Sequence, residues 1–288
     1  MDKTIGNSAQ KISIIIPCYN DHLYIEQAVD SALAQTWPEK EIIVVDDGSN
    51  EQTKTKLRSL TQKIDKLISQ ENKGVSAARN KGIAAATGNF ILILDSDDYY
   101  EKEFCEKAIP FFDDDPAVRI VTCYARWFRT NNDFRQFKPQ GGDLKDFLIK
   151  NCALSVIFRK SDFEYAGGYD ENMLAGYEDW EFYIRLLREG GYAHVLPEIL
   201  FHYRNKHNSR NKKANLKKYA LKEYIFNKHA DLYKENFSLL IHEWLKDNKK
   251  SEAFKQQVMD SLDYKIGNKL LKPLRALGVF KRKNALGK

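Results

Sequence analysis

Cysteine is scarce in this chain. Cys18, Cys105, Cys123 and Cys152 are its whole complement in 288 residues, and no two of them form a CxxC pair. Such scatter supplies neither a zinc site nor a disulfide framework, so reduced, buried thiols are expected and redox chemistry is not. Long hydrophobic runs are missing as well: no stretch approaches the ~20 apolar residues of a spanning helix. The opening from Met1 to Lys11 is a short polar arm without the basic start and apolar centre of a signal peptide. A cytosolic chain is therefore expected. Internal repeats and low-complexity segments are absent too, which leaves one large α/β domain with an appendage, or two small domains.

What the sequence has is charge, unevenly placed. The formal net charge is +6, with Asp and Glu prominent in the first two thirds. Lys and Arg dominate from Arg204 onward, in Lys212-Lys213, Lys217-Lys218, Lys249-Lys250 and Lys281-Arg282-Lys283. Such a tail invites an anionic partner. Leu270 to Arg282 interleaves apolar and basic residues as a short interfacial helix would, with Pro273 near its start. Peripheral attachment to the inner face of the cytoplasmic membrane, packing on the rest of the chain or on a second copy in a homo-oligomer, and a plain solvated face all fit. Nucleic acid is not expected, because the aromatics lack the stacking pattern of RNA-recognition modules.

Strands and helices alternate from the start. Ile12 to Ile16 is β-branched, Tyr24 to Gln35 has helical spacing, and Glu41 to Val45 is β-branched again and ends in Asp46-Asp47-Gly48-Ser49. This βαβ pattern predicts a parallel sheet with right-handed crossovers. A helix over 51–62, a weak strand near Leu67 to Ser69 and a small-residue helix over 75–86 follow. The apolar run Phe90 to Leu94 then leads straight into Asp95-Ser96-Asp97-Asp98. Several strands thus end in polar or carboxylate groups, which favours one ligand crevice at the carboxyl edge of the sheet. Like charges this close repel, so either some of the carboxyls are protonated or a divalent cation neutralises them. Hard oxygen donors favour magnesium, manganese or calcium over zinc. An acidic loop capping the next helix is the alternative. Beyond Tyr100 the pattern predicts a helix to about Phe112, a strand over 118–124, a loop-rich span, a helix over 143–151, a strand over 155–158 and a helix over 177–188. The compositional shift near residue 205 opens a basic, mainly helical extension.

In order, Ser13 to Asn20 (SIIIPCYN), Val44 to Ser49 (VVDDGS), Asn72 to Gly82 (NKGVSAARNKG) and Leu94 to Asp98 (LDSDD) closely resemble the family 2 glycosyltransferases of bacterial cell-surface glycan type. Gly167-Gly168-Tyr169-Asp170 and Glu178-Asp179-Trp180-Glu181 are similar to that family's acceptor-side motifs. The resemblance spans residues 12–210 and implies the GT-A fold, a Rossmann-like, mixed, mainly parallel α/β sheet flanked by helices. It divides the chain into an arm (1–11), a nucleotide-binding half (12–100), an acceptor-binding half (101–210) and a helical C-terminal extension (211–288).

The activity so implied is inverting transfer of a hexosyl or N-acetylhexosaminyl group. The donor would be a UDP-linked sugar, the acceptor a hydroxyl of a glycan or lipid-linked glycan, and the cofactor Mn2+ or Mg2+. Pro17 and Tyr19 would form the donor-base site, with Tyr19 stacking on a pyrimidine and Asp47 accepting the uracil ring N–H. For Tyr19 loop packing, and for Asp46 and Asp47 a helix cap, are the plainer readings. Arg79 would hold the nucleotide or its diphosphate, or bridge to one of the aspartates and so orient it. By resemblance Asp95-Ser96-Asp97 is the DXD motif: Asp97 ligates the divalent ion, Asp95 contacts the ribose or the same ion, and Asp98 becomes the helix cap. Asp179 would be the catalytic base, with Glu178 the neighbouring candidate or a binder of acceptor hydroxyls. His207 would reach metal or phosphate, and Arg204 and Ser209 would supply further donors. Two other functions compete. A sugar nucleotidyltransferase should carry a glycine-rich, basic loop after its first strand, where this chain has Pro17-Cys18-Tyr19-Asn20. An inactive nucleotide- or glycan-binding module would be expected to have lost Asp47, Asp97 or Asp179.

Overall fold

A computed structural model describes residues 10–130, 133–206 and 210–276. Strand β1 (Ile12–Cys18), helix α1 (Ile25–Leu33), β2 (Lys40–Asp47), α2 (Glu51–Ser59), β3 (Lys66–Gln70), α3 (Val75–Ala84) and β4 (Phe90–Ile93) realise the expected alternation. The four strands pair in parallel in the order β3-β2-β1-β4. β1 is buried along its whole length and β2 nearly so, which is why both read as continuous apolar runs instead of alternating ones. α1 buries Ile25, Ala28, Val29 and Ala32, a helical i, i+3, i+4, i+7 stripe. α3 lies so close to the sheet that a Cβ on Gly82 would stand 2.6 Å from Ile15 and 3.0 Å from Val45. The run of small residues around Arg79 is the condition for that approach.

Next come β5 (Tyr99–Tyr100), α4 (Phe104–Asp114), β6 (Val118–Phe128), β7 (Phe134–Phe137), β8 (Gly142–Asp143), α5 (Leu144–Ile149), β9 (Ile157–Arg159), α6 (Lys160–Ala166), α7 (Glu178–Leu186) and β10 (Tyr192–Arg204). They extend the sheet as β4-β9-β6-β10-β5, with β7 on β6 and β8 on β10. The antiparallel joins are short, while β1/β2 and β6/β10 are long parallel ladders, so the sheet is mixed and mainly parallel. β10 has no counterpart in the sequence reading. Its ladder to β6 slips after Tyr192, between Leu196 and Ile199 across Pro197, and again before Phe201, so no period-2 signal survives. All four cysteines are buried and free.

Helices α8 (Arg210–Leu216), α9 (Lys218–Lys228), α10 (Ala230–Glu235), α11 (Phe237–Asp260) and α12 (Leu262–Ala276) complete the described chain. The first compact unit ends at Tyr233 and a second begins at Lys234. The first unit thus runs past the boundary expected after residue 210, because α9 and α10 bury Leu221, Ile225 and Leu232. They also deliver Lys228 Nζ (2.9 Å) and His229 Nε2 (3.0 Å) to the fully buried Glu181, which is already paired with Arg185. Although burial opposes it, these partners hold the Glu181 carboxyl down at about 2. Among the described residues no helix is long and apolar enough to cross a membrane.

Candidate active site

The carboxyl ends of β1, β2 and β4 meet at one edge of the sheet. Tyr19 follows β1 with half its surface open (51%). Asn20 adopts φ +55° and ties this loop to the next: its N–H donates to Ser49 Oγ (3.1 Å), and its Oδ1 accepts the Asn50 N–H (2.7 Å). Pro17 lies buried within β1 opposite Val45, past the end of the β4 ladder at Ile15, where its missing N–H costs no sheet bond to β4.

Neither aspartate at the end of β2 caps α2; Asn50 does, accepting the Thr53 N–H. Asp46 Oδ1 accepts the Ser49 N–H (2.9 Å) and shapes the turn. Asp47 reaches across to the loop before α3. Its Oδ1 accepts from Gln70 Nε2 (2.8 Å) and the Lys73 N–H (2.8 Å), its Oδ2 from the Gly74 N–H (2.9 Å). Gly48, at φ +74°, leaves the room this requires, since a Cβ there would stand 2.7 Å from the Asn72 nitrogen.

Arg79 is buried and joins three elements. One terminal nitrogen donates to Glu178 Oε1 (2.9 Å) at the head of α7, the other to Asp95 Oδ1 (2.7 Å) after β4, with the Tyr169 ring 5.3 Å away. Burial disfavours charge at Asp95, but Arg79 outweighs it and holds the carboxyl below the usual range. Ser96 is buried and donates to Asp21 Oδ2 (2.8 Å). Asp97 Oδ2 meets Lys206 Nζ at 2.9 Å, and the same ammonium meets Asp21 Oδ1 at 2.6 Å. Burial, reinforced by Asp95 and Asp21, still leaves the Asp97 carboxyl above its ordinary value.

Asp98 corrects the helix-cap expectation. It precedes β5, not a helix, and its buried carboxyl accepts the Arg204 N–H (2.7 Å) at the end of β10. Burial, with Asp97 and Asp95 alongside, pushes this carboxyl well above the usual range. The Arg204 side chain is also committed: Nε donates to the Asp97 carbonyl (2.9 Å), a terminal nitrogen donates to Gln27 Oε1 (2.6 Å), and the guanidinium covers the Tyr24 ring at 4.3 Å. Arg204 thereby clamps the aspartate loop to α1 and β10. His207 and Ser209 lie outside the described residues.

Glu178 and Asp179 are neighbours with opposite protonation behaviour. Glu178 is buried between Arg79 and Arg210; burial would raise its carboxyl, but the two guanidinium groups prevail and keep it ionised. Asp179 keeps partial exposure, accepting the Trp180 N–H (2.8 Å) on Oδ1 and Asn151 Nδ2 (3.0 Å) on Oδ2. Burial, followed by the Glu178 charge, raises it from 3.8 to about 6. Tyr177, just before them, sits at φ +65°, a strained backbone conformation for a bulky residue that aims the first turn of α7.

Asp21, Lys206, Arg210 and Asn151 were not singled out from the sequence. Asp21 closes the polar end of the first strand and Lys206 lies two residues past Arg204, which were the signals available. Among the described residues no cluster of three His, Cys, Asp or Glu side chains is arranged to hold a metal. The donor set nevertheless suits a hard cation: two carboxylates, Asp21 and Asp97, already share one positive charge, that of Lys206.

Residues 13–169 match Glycosyl transferase family 2, which is more than half of the chain. The chain belongs to glycosyltransferase family 2. TuaG of Bacillus subtilis (strain 168), a glycosyltransferase ascribed to teichuronic acid biosynthesis, is 32% identical over 203 residues, covering 69% of this glycosyltransferase and 80% of TuaG. The chain spans only 34% of the length of another relative from the same bacterium. The structure of S. aureus TarS 1–349 in complex with UDP-GlcNAc aligns with TM-score 0.59 at 23% identity, over 70% of this chain and 60% of that one. The mannosyltransferase PcManGT from Pyrobaculum calidifontis, in complex with GDP-Man and Mn2+, aligns with TM-score 0.59 at 20% identity, over 94% and 81%. These structural likenesses establish that the family 2 enzyme has the GT-A fold.

Proposed function

We propose that this glycosyltransferase moves a hexose or N-acetylhexosamine, with inversion, from a UDP-linked donor to a hydroxyl of a glycan or lipid-linked glycan. The observation that carries this reading is the pair at the head of α7, an ion-paired, buried Glu178 beside a partly exposed Asp179 raised to about 6. Environments that push two adjacent carboxyls apart mark their separate tasks. Glu178 is the fixed anion that holds Arg79 and Arg210, and Asp179 is the base. The acceptor oxygen attacks the anomeric carbon as the bond to the diphosphate breaks, and its proton passes late to the Asp179 carboxylate. A single displacement inverts the anomeric centre.

On the donor side the open face of Tyr19 is available for stacking. Asp47 Oδ2 takes one donor where a carboxylate oxygen accepts two, which leaves room for the N–H of uracil. Arg79 orients Asp95 toward the ribose. A divalent cation, Mn2+ or Mg2+, would be held by Asp97 with Asp95 or Asp21 as second carboxylate and His207 from the segment after Lys206, and would supply charge neutralisation for the departing diphosphate. The UDP-GlcNAc held by TarS supports a UDP donor, and the Mn2+ of PcManGT supports the cation. In thermal-shift measurements with Mn2+, UDP and UDP-sugars should stabilise the protein while GDP-mannose does not. Asp97→Ala should remove the manganese-dependent part of UDP affinity; stabilisation by GDP-mannose in preference to UDP-sugars would overturn the donor assignment.

The unit from Lys234 onward supports peripheral attachment to an anionic lipid surface. It holds thirteen Lys and Arg against six Asp and Glu, an excess of seven that exceeds the net charge of the whole chain. On α12, Leu262, Ile266, Leu270 and Leu274 are exposed at i, i+4 spacing, with Lys265, Lys269 and Lys272 between them. The full chain should co-sediment with vesicles containing phosphatidylglycerol and not with pure phosphatidylcholine, and an Ile266→Asp, Leu270→Asp variant should stay in the supernatant. Co-sedimentation unchanged by that variant, or concentration-dependent dimerisation without vesicle binding, would assign the face to another role.

A further inference from the structure

We infer that Lys206 is a built-in cation that competes with the divalent metal for the Asp21 and Asp97 carboxylates and yields them when the donor diphosphate arrives. The inference rests on the reading of Asp97 as a metal ligand and concerns how that ligand is kept before the donor binds.

The charge pairing around the aspartate loop leads to this assignment. Asp95 is answered by Arg79 at 2.7 Å. The guanidinium of Arg204 is spent on the Asp97 carbonyl, on Gln27 and on the Tyr24 ring, so it answers no carboxylate there. Asp98 is met by a backbone N–H. Asp21 and Asp97 come from loops after different strands, and Lys206 Nζ stands between them at 2.6 and 2.9 Å, 4.8 Å from the Tyr24 ring. An ammonium in contact with two partly buried carboxylates occupies the position a hard metal ion would take. A metal that enters must displace it or share its ligands.

Lys206 is placed to leave. The preceding residue is fixed, with the Asn205 N–H donating to the Phe128 carbonyl (2.8 Å), and among the described residues that is the last backbone tie of the β10 segment before Lys206. Its ammonium sits on a flexible four-carbon stem, a mobile point charge, unlike a guanidinium fork. The donor diphosphate offers it a second anion next to the first. Exchange of partners then follows: the carboxylates take the metal, and Lys206 takes the phosphate. Metal and nucleotide should therefore strengthen one another, equally in both directions.

The test is Mn2+ titration of the full chain, followed by the electron paramagnetic resonance signal of free Mn2+, with and without UDP. Lys206→Met should bind Mn2+ about tenfold or more tightly than wild type in the absence of UDP, about 1.4 kcal/mol or more. The gain in Mn2+ affinity on adding UDP should shrink in parallel. Lys206→Arg should keep the weak wild-type affinity. Lys206→Gln, which retains a donor without the charge, should behave like Lys206→Met and serves if the methionine variant fails a circular-dichroism check of folding. Unchanged or weaker Mn2+ binding in both uncharged variants, with Asp97→Asn still abolishing Mn2+ binding in the presence of UDP, would overturn the competition and leave Asp97 as a ligand. Wild-type Mn2+ affinity in Asp97→Asn would overturn the metal assignment itself, and the competition with it.

Discussion

Asp179→Asn is expected to lose turnover by about 10^2- to 10^4-fold while the protein becomes harder to melt. The two effects share one cause. Burial and the Glu178 charge raise the Asp179 carboxyl to about 6, so at pH 7 to 8 the fold carries an ionised group that its surroundings disfavour. For a carboxyl raised on folding, the favourable contribution is complete below its unfolded value, near 3.8, and is lost as pH rises through about 6. Asparagine removes that penalty and keeps an oxygen for the Trp180 N–H and the Asn151 amide. A melting temperature higher by a few degrees is expected at pH 8, shrinking toward pH 5. Wild-type turnover should fall about tenfold per pH unit below about 6 as the base protonates. Steady-state rates across pH 5 to 8, alongside melting curves of both proteins, check the whole set. Substantial turnover in the variant would place the base elsewhere.

Arg79→Met should be the most damaging substitution at the donor side. Arg79 is the shared counter-ion of Asp95 and the buried Glu178, and breaking a buried ion pair from one side typically costs about 3–5 kcal/mol. The lower end applies here, because Arg210 still faces Glu178 and Asp95 is partly open to water. Arg79→Lys should recover little of the loss, since one ammonium does not span two carboxylates as the fork does. Urea unfolding should show the lower midpoint, and calorimetry with UDP should show weakened binding as Asp95 loses its orientation. A variant as stable as wild type with unchanged UDP affinity would make Arg79 dispensable.

The βαβ half of the fold was legible because its signals are local. β-branched runs marked β1 and β2 and an apolar run marked β4, and each ended in the polar residues that form the crevice. β10 was not legible, since Pro197 and three register slips erase its periodicity and its partners come from far along the chain. The candidate residues were legible as types, less so as tasks. Glu178 and Asp179 are adjacent acids in the sequence; what separates them is Arg79, 99 residues earlier, and Arg210, 32 residues later. Arg204 reads as a phosphate donor and folds as a clamp, and Asp98 reads as a cap and folds as an acceptor for β10. The place of Lys206 two residues past Arg204 does not reveal its task, because its two partners, Asp21 and Asp97, lie far back in the chain at the ends of other strands.

Glu181 has no role in the proposed transfer, yet it sets how short this enzyme can be made. Its carboxylate sits at zero exposure and depends on Lys228 and His229, which lie beyond every residue assigned to catalysis. A chain cut at the boundary expected after residue 210 would keep the residues proposed for the transfer and strand this anion in the protein interior with Arg185 alone. The smallest self-sufficient version of the transferase therefore ends near Tyr233, at a limit drawn by one buried charge.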